Sequence, residues 1–291
     1  MDLLITGAGG FVGTHLCNNL CKEHNIHRVY SPLNPRLNND SYAVDLTDGT
    51  MVENLIDMLS KQNIDTIIHL ASRIASPDMI NDLDILRENI AITENIVLLA
   101  KEVKPEVLIN FSSMAIYPNI SGLFSEDSLP GPHKNTDCIY GLSKYNSEVI
   151  LDFFLRDENI RVVHLRIAQV HGKGMREDRI IPVMRDELEE KNTITVFGNG
   201  ERESCFIQIN KLVEVIEFFL THKISGVYNV GNQNLSYYDL AKIVVNQYGN
   251  EASKIIKHLK GNKEKFNLDT SKLQRILNSA WPKNTQITDI K

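Results

Sequence analysis

The chain has 291 residues, enough for one large α/β domain or a large domain with a smaller lobe, and long enough to bury a substantial core. A hydrophobic fraction of 42%, a charged fraction of 23% and a formal net charge of -6 are ordinary for a soluble protein and give no reason to expect nucleic acid as a partner.

The first half alternates short β-branched runs with longer segments of helical period, the pattern of a parallel sheet wound with helices on both faces. Strands are predicted at 3–6, 28–31, 66–71, 107–112 and 162–166, with helices at 11–24, 51–61, 89–103 and 140–157 between them. After Arg166 the rhythm loosens. Glycines fall at 172 and 174, a helical stretch at 181–191, and strands at 193–197 and 226–230, with Ser236 placed to cap a helix over 237–248. The expected organisation is a doubly wound Rossmann-type domain over 1–166, then a smaller lobe, mainly 167–291, with some segments returning to the first core. The basic stretch KIIKHLKGNKEK (254–265) has the composition of a solvated face and is assigned no function.

Residues 5–13, ITGAGGFVG, place Gly7, Gly10 and Gly13 three apart between the first strand and the first helix, with Phe11 and Val12 among them. A tight turn needing positive φ explains one such glycine and at most two. Three at this spacing, in the order strand, turn, helix, let backbone N–H groups approach a diphosphate, so NAD or NADP is expected. A carboxylate for the ribose 2′-hydroxyl belongs at the end of the second strand, but Ser31, Pro32 and Leu33 stand there. Arg36 follows and suits a 2′-phosphate, or is simply a solvated loop arginine; the lean is to NADP.

YGLSK (140–144) sets Tyr140 and Lys144 four apart, on one face of a helix. A phenol that titrates near 10 works as an acid or base at neutral pH only when a cation stabilises its phenolate, and a lysine one turn away provides that field. Alone the pair is an ordinary feature of a half-buried helix. With the glycine turn upstream and FSSMAIYP (111–118) ending a strand between them, Ser113 becomes the third member of a Ser/Tyr/Lys set.

Four cysteines, Cys17, Cys21, Cys138 and Cys205, lack CxxC spacing and nearby co-ligands, so neither metal nor disulfide is expected. The N-terminus opens directly on an apolar strand, and no run approaches the roughly 20 apolar residues of a membrane span. No membrane partner and a cytoplasmic location are expected.

TGAGGFVG, HLAS (69–72), FSSMAIYP, YGLSK, LRIAQVHGKG (165–174), YNVGN (228–232) and DTSKLQRILNSAWP (269–282), in that order, resemble the markers of extended short-chain dehydrogenases/reductases of the nucleotide-sugar epimerase/dehydratase type, over nearly the whole chain. The resemblance implies bound NAD(P), a C-terminal lobe for a nucleoside-diphosphate sugar, and a homodimer. It makes Tyr140 the acid/base, Lys144 its helper at the nicotinamide ribose, and Ser113 the hydroxyl on the sugar oxygen. It also places Asp45 and Leu46 at the adenine, Leu70 and Ala71 beside the cofactor, and Asn89 near it. The plainer alternatives are that Asp45 caps the following helix and that Asn89 is a satisfied core amide; His69, at a strand end, reads as a hydrogen-bonded packing residue rather than a base.

Dehydratases of this family carry an acidic pair just after the Ser/Thr; Met114 and Ala115 stand there, which disfavours a 4,6-dehydratase. Hydride transfer at sugar C4 remains, by a 4-epimerase or, with a slight lean, a 4-keto-sugar reductase in sugar-nucleotide biosynthesis. The substrate side departs further: Gln169 replaces the usual asparagine, and Ser204-Cys205-Phe206 occupy the place of an Arg/Asp-Phe segment. Arg202, Lys173 and Arg179 are the candidate phosphate cations, with plain surface charge as their alternative. A rival from another class is a catalytically silent NAD(P)-binding regulator, against which the retained Ser113, Tyr140 and Lys144 speak.

Overall fold

The computed structural model describes residues 1–33, 40–74 and 80–277. In chain order the elements are β1 (Asp2–Thr6), α1 (Phe11–Leu20), β2 (Asn25–Tyr30), β3 (Ser41–Ala43), α2 (Gly49–Leu59), β4 (Thr66–His69), α3 (Leu83–Val103), β5 (Val107–Ser113), β6 (Gly122–Phe124), α4 (Cys138–Leu155), β7 (Arg161–Ile167), β8 (Gln169–His171), α5 (Ile180–Lys191), β9 (Thr193–Val196), β10 (Glu203–Gln208), α6 (Ile209–Thr221), β11 (Gly226–Val230), β12 (Gln233–Ser236), α7 (Tyr237–Tyr248), β13 (Lys254–Lys257), β14 (Phe266–Leu268) and α8 (Ser271–Ile276).

The chain divides into two units. The first comprises Met1–Pro118, Leu129–Arg166 and Val213–Tyr228; the second comprises Asn119–Ser128, Ile167–Leu212 and Asn229–Lys291. The central segment of the first unit ends at Arg166, and Asn119–Ser128 belongs to the second unit.

The first unit is built on a seven-stranded sheet in the order β11-β7-β5-β4-β1-β2-β3. The pairs β1–β2, β1–β4, β2–β3 and β4–β5 are parallel. This is the doubly wound α/β arrangement, and it explains the unbroken apolar strands: β4 is buried at every position, as a strand covered on both faces must be. One core cluster joins Leu4, Ile67 and Leu108 of the sheet to Val52 and Leu55 of α2, Ile96 and Leu99 of α3, and Leu151 and Leu155 of α4.

Helix ends follow from local chemistry. Asp48 caps α2 by accepting from the Thr50 and Met51 N–H groups. Asp82 caps α3, so that helix begins at Leu83, ahead of the predicted 89. It ends where Lys104 turns left-handed at φ 52°. α1 stops at Leu20, before the predicted 24, and β4 at His69, before the predicted 71.

The second unit holds a three-stranded sheet, β12-β10-β8, and two parallel pairs, β13–β9 and β14–β6. Its core gathers Ile181, Met184 and Leu188 of α5, Ile194 and Val196 of β9, Phe206 of β10, and Leu240 and Val244 of α7. Ser236 caps α7 by accepting from the Asp239 N–H, as its place in the sequence predicts. The basic stretch supplies β13, whose Ile255 packs on this core while its lysines stay at the surface. Among the described residues no helix is long and apolar enough to cross a membrane.

Candidate functional site

The glycine turn lies where β1 hands over to α1. Gly7 has φ +71°, and a Cβ added to it would come within 2.9 Å of the Ala71 nitrogen. A Cβ on Gly13 would lie 2.3 Å from the Gly7 carbonyl oxygen and 2.8 Å from the Ala8 Cα. Gly7 thus makes the turn, and Gly13 lets the helix pack on it. Gly10 caps α1 with no side chain and no acidic residue in the first turn, so the N-terminal field of that helix is not offset locally. Phe11 and Val12 open the helix, both half-buried. The bare backbone cradle fits a dinucleotide diphosphate.

Leu70 and Ala71, half-buried just past β4, run beside Gly7. His69 is buried, with Nδ1 2.8 Å from the Thr6 hydroxyl oxygen, and burial together with Lys144 pushes its titration down to about 3. It is a neutral packing residue, as the plainer reading had it. The Thr6 hydroxyl also accepts from the Ala71 N–H at 3.3 Å, fixing the strand ends that flank the turn.

Asp45 and Asn89, both expected near the cofactor, sit in different surroundings. Asp45 is exposed and accepts from the Thr47 N–H and hydroxyl, whereas the α2 cap is Asp48; the alternative that Asp45 caps the helix therefore falls. Asn89 spends its whole amide inside the protein. Its Oδ1 accepts from the Arg73 N–H at 2.7 Å, and its Nδ2 donates to the Arg73 carbonyl at 2.9 Å and to the Ser143 hydroxyl at 3.0 Å. Both amide protons are taken, which ties Asn89 to the Arg73 backbone and to Ser143. Leu46 is buried in the core, and its carbonyl accepts from Asn95. Arg36 lies outside the described residues.

Ser113 ends β5 and caps the single 3₁₀ turn Met114–Ile116, accepting from the Ala115 N–H at 3.1 Å. Met114 and Ala115 are buried within that turn. The first turn of α4 lies directly against it: a Cβ on Gly141 would sit 2.2 Å from the Ala115 carbonyl oxygen. The approach to α4 is anchored too, by the Gly131 N–H on the Ile116 carbonyl at 2.8 Å and the Asn135 amide on the Tyr117 carbonyl at 2.8 Å. The glycine inside YGLSK is thus what seats Tyr140 beside the Ser113 turn. Next in the helix, the Ser143 hydroxyl, bonded by Asn89, donates to the Tyr140 carbonyl at 2.8 Å.

Tyr140 is half-buried and Lys144 buried, with Nζ 5.8 Å from the phenol ring centroid. Burial pushes the Lys144 ammonium down to about 8 from 10.5, against an upward pull from Glu148. The sign of the linkage follows: between pH 8 and 10.5 the unfolded chain binds the extra proton, so this lysine costs stability below pH 8 and the cost fades as pH rises to 10.5. Lys144→Met is therefore expected to be more stable than the wild type at pH 7, by an amount on the order of 3 kcal/mol, with the difference closing above pH 10. Thermal melts at both pH values check this; a less stable variant at pH 7 contradicts it.

Sequence reasoning missed what holds α4 in place. Glu148, one turn beyond Lys144, and Arg166 at the end of β7 form a buried pair, with Nε to Oε1 at 3.0 Å and Nη2 to Oε2 at 2.8 Å. The Ser112 hydroxyl donates to Glu148, and Arg166 Nη1 donates to the Tyr117 hydroxyl at 2.8 Å. The +4 spacing from Lys144 to Glu148 was visible in the sequence, but the partners come from two other strand ends.

In the second unit, Gln169 donates to the Ser204 hydroxyl at 2.7 Å. Arg202 lies over the Tyr237 ring at 5.0 Å. Arg179 is at the N-cap of α5, 3.8 Å from Asp178, and Lys173 is exposed. His171, on the same strand as Gln169, is buried with neither ring nitrogen hydrogen-bonded among the described residues. Among the described residues no cluster of three His, Cys, Asp or Glu side chains is placed to hold a metal.

The chain is similar to known proteins in sequence and in fold. A trifunctional UDP-glucose 4,6-dehydratase/UDP-4-keto-6-deoxy-D-glucose 3,5-epimerase/UDP-4-keto-L-rhamnose-reductase of Arabidopsis thaliana is 23% identical over 312 residues; the match covers 99% of this chain and 45% of that longer protein. The dTDP-4-dehydro-6-deoxyglucose reductase of Escherichia coli is 25% identical over 248 residues, covering 79% of this chain and 76% of its own. The structure of the UDP-glucuronic acid 4-epimerase of Bacillus cereus, solved with UDP-glucuronic acid and NAD, superimposes with a TM-score of 0.81 at 25% identity, over 100% of this chain and 96% of that one. The family model for the NAD dependent epimerase/dehydratase family matches residues 3–231, from the first strand through β11, and the chain belongs to that family.

Proposed function

We propose that this protein transfers hydride at C4 of a nucleoside-diphosphate sugar, as a 4-epimerase or, by preference, a 4-keto-sugar reductase. The observation that carries the reading is the buried Lys144 ammonium one helical turn from Tyr140, on a helix seated against the turn that Ser113 caps.

Ser113 accepts from the Ala115 N–H and keeps its own proton available to donate to the sugar oxygen. Tyr140 moves the hydroxyl proton at that oxygen, and Lys144 stabilises its phenolate through a low-dielectric interior in which an ammonium acts strongly. NAD(P), when bound, accepts or donates the hydride. Gly7, Gly10, Phe11, Val12 and Gly13 hold its diphosphate. The absence of a carboxylate at 31–33 supports acceptance of a 2′-phosphate, hence NADP, and with it the reductase. Met114 and Ala115 offer no acid or base, which argues against water elimination.

On the substrate side, the proposed contacts are Gln169, Lys173, Arg179 and Arg202. Arg202, whose guanidinium carbon lies 5.0 Å from the Tyr237 ring centre, is the first of them, because a guanidinium suits a phosphate. A homodimer is the proposed assembly, resting on the half-exposed Val149, Phe153 and Phe154 of α4; a monomer in sedimentation at micromolar concentration contradicts it.

The test is incubation with UDP- and dTDP-sugars and their 4-keto-6-deoxy forms while NADH and NADPH absorbance is followed. Consumption with a keto sugar identifies a reductase, and interconversion without net cofactor change an epimerase. No turnover of any of them, with tight cofactor binding, contradicts the proposal.

A further inference from the structure

The Glu148–Arg166 pair joins a helix to a strand end, and it also brings a carboxylate one helical turn from Lys144. Glu148 is four residues beyond Lys144 on α4, so its carboxylate lies on the lysine's face of the helix. It is 4% exposed, beside a lysine that is 5% exposed. In such surroundings a carboxylate acts on an ammonium with little screening. Three donors hold it: Arg166 Nε, Arg166 Nη2 and the Ser112 hydroxyl. Arg166 is in turn held by the Tyr117 hydroxyl, and its guanidinium carbon lies 5.2 Å from the centre of the Tyr117 ring. Ser112 and Tyr117 bracket Ser113, so the lattice that fixes the carboxylate is built from the segment carrying the site hydroxyl.

We propose that Glu148 is a positioning residue whose carboxylate, locked by Arg166 and Ser112, keeps the Lys144 side chain charged so that it can hold Tyr140 as a phenolate. The inference rests on the proposed role of Tyr140 and Lys144. Burial works against the lysine's charge, and Glu148 opposes burial. The other groups facing this face of α4 do not take its place. His69 of β4 is neutral, because its ionisation is pushed down to about 3. From α3, the uncharged Asn89 amide meets Ser143. From β5, the uncharged Ser112 hydroxyl reaches Glu148, and Asn110 receives the Ser147 hydroxyl. His133 and Lys134, in the 3₁₀ turn before α4, are exposed. Arg166 of β7 is a cation and is occupied by Glu148 and Tyr117.

The test is a spectrophotometric titration of the Tyr140 phenolate near 295 nm, taken as the difference between each protein and its Tyr140→Phe counterpart. It needs no substrate. Glu148→Gln removes the carboxylate charge that faces the buried Arg166 guanidinium, which endangers folding. Glu148→Gln/Arg166→Met removes both charges and avoids that. In the folded variants the phenolate midpoint is expected to move up. At pH 8, kcat relative to its value at pH 6.5 is expected to fall about threefold or more compared with the wild type. An unchanged midpoint and an unchanged kcat profile in a folded double variant overturn the inference. If the wild type turns over no nucleotide sugar but the midpoint still moves, the proposed reaction falls and the role of Glu148 stands; if turnover is found and the midpoint does not move, the reverse holds.

Discussion

Tyr140→Phe is expected to bind NAD(P) as the wild type does and to lose turnover by about 10²-fold or more. The substitution removes one oxygen from a half-buried ring and leaves the glycine cradle, the Ser113 turn and the Asn89–Ser143 bonds untouched. Its effect therefore belongs in kcat, because the phenol acts on the proton in flight and contributes little to holding the ground state. The Lys144 ammonium would then face a ring without a charge to stabilise. Cofactor titration by fluorescence and steady-state kinetics with the nucleotide sugar found to turn over give the two readouts. Activity near that of the wild type would remove Tyr140 from the mechanism, and lost cofactor binding would make its role architectural.

Gly141→Ala is expected to be as damaging, by a different route. The added methyl would stand 2.2 Å from the Ala115 carbonyl oxygen, 2.9 Å from its carbon and 3.2 Å from the Pro132 Cβ. None of these is the far end of a flexible side chain: two belong to the 3₁₀ turn that Ser113 caps and the third to a proline ring. The helix or the turn must move by several tenths of an ångström or more, and Tyr140 is the adjacent residue. A displacement approaching 1 Å at the reacting groups costs on the order of 10² in rate. Ala is the better helix former by about 1 kcal/mol, so a loss of activity here cannot be laid to helix propensity. Kinetics together with a melting curve separate the effects: a fall in kcat with a folded protein supports the seating role, and unchanged kcat refutes it.

The parts of the site that were legible in the sequence are those whose chemistry is local. Gly7, Gly10 and Gly13 work through one turn, and Tyr140 and Lys144 through one turn of helix; in both cases spacing along the chain is spacing in space. Ser236 as a cap was readable for the same reason. The start of α3 was not, although Leu83, Ile85 and Leu86 are apolar; the side-chain cap of Asp82 sets the boundary. Glu148 and Arg166 are 18 residues apart with a helix end and a loop between them, and nothing local announces their pairing. The partners of Asn89 were likewise unreadable, because its hydrogen bonds go to the Arg73 backbone in a loop and to Ser143 on a second helix. The pairing of β14 with β6 spans the chain from Phe266 to Gly122 and brings a segment of the predicted first domain into the second unit. Such long-range pairings follow from tertiary packing, which period and composition do not encode.

The central claim is hydride transfer at sugar C4, and isotope transfer tests it most directly. NADPH or NADH with both C4 hydrogens of the nicotinamide replaced by deuterium is incubated with the enzyme and a 4-keto-6-deoxy nucleotide sugar, and the product is read by mass spectrometry and NMR. The account predicts deuterium at C4 of the product sugar, with transfer suppressed in Tyr140→Phe. Product formed without label at C4, or label found at another carbon, would contradict it.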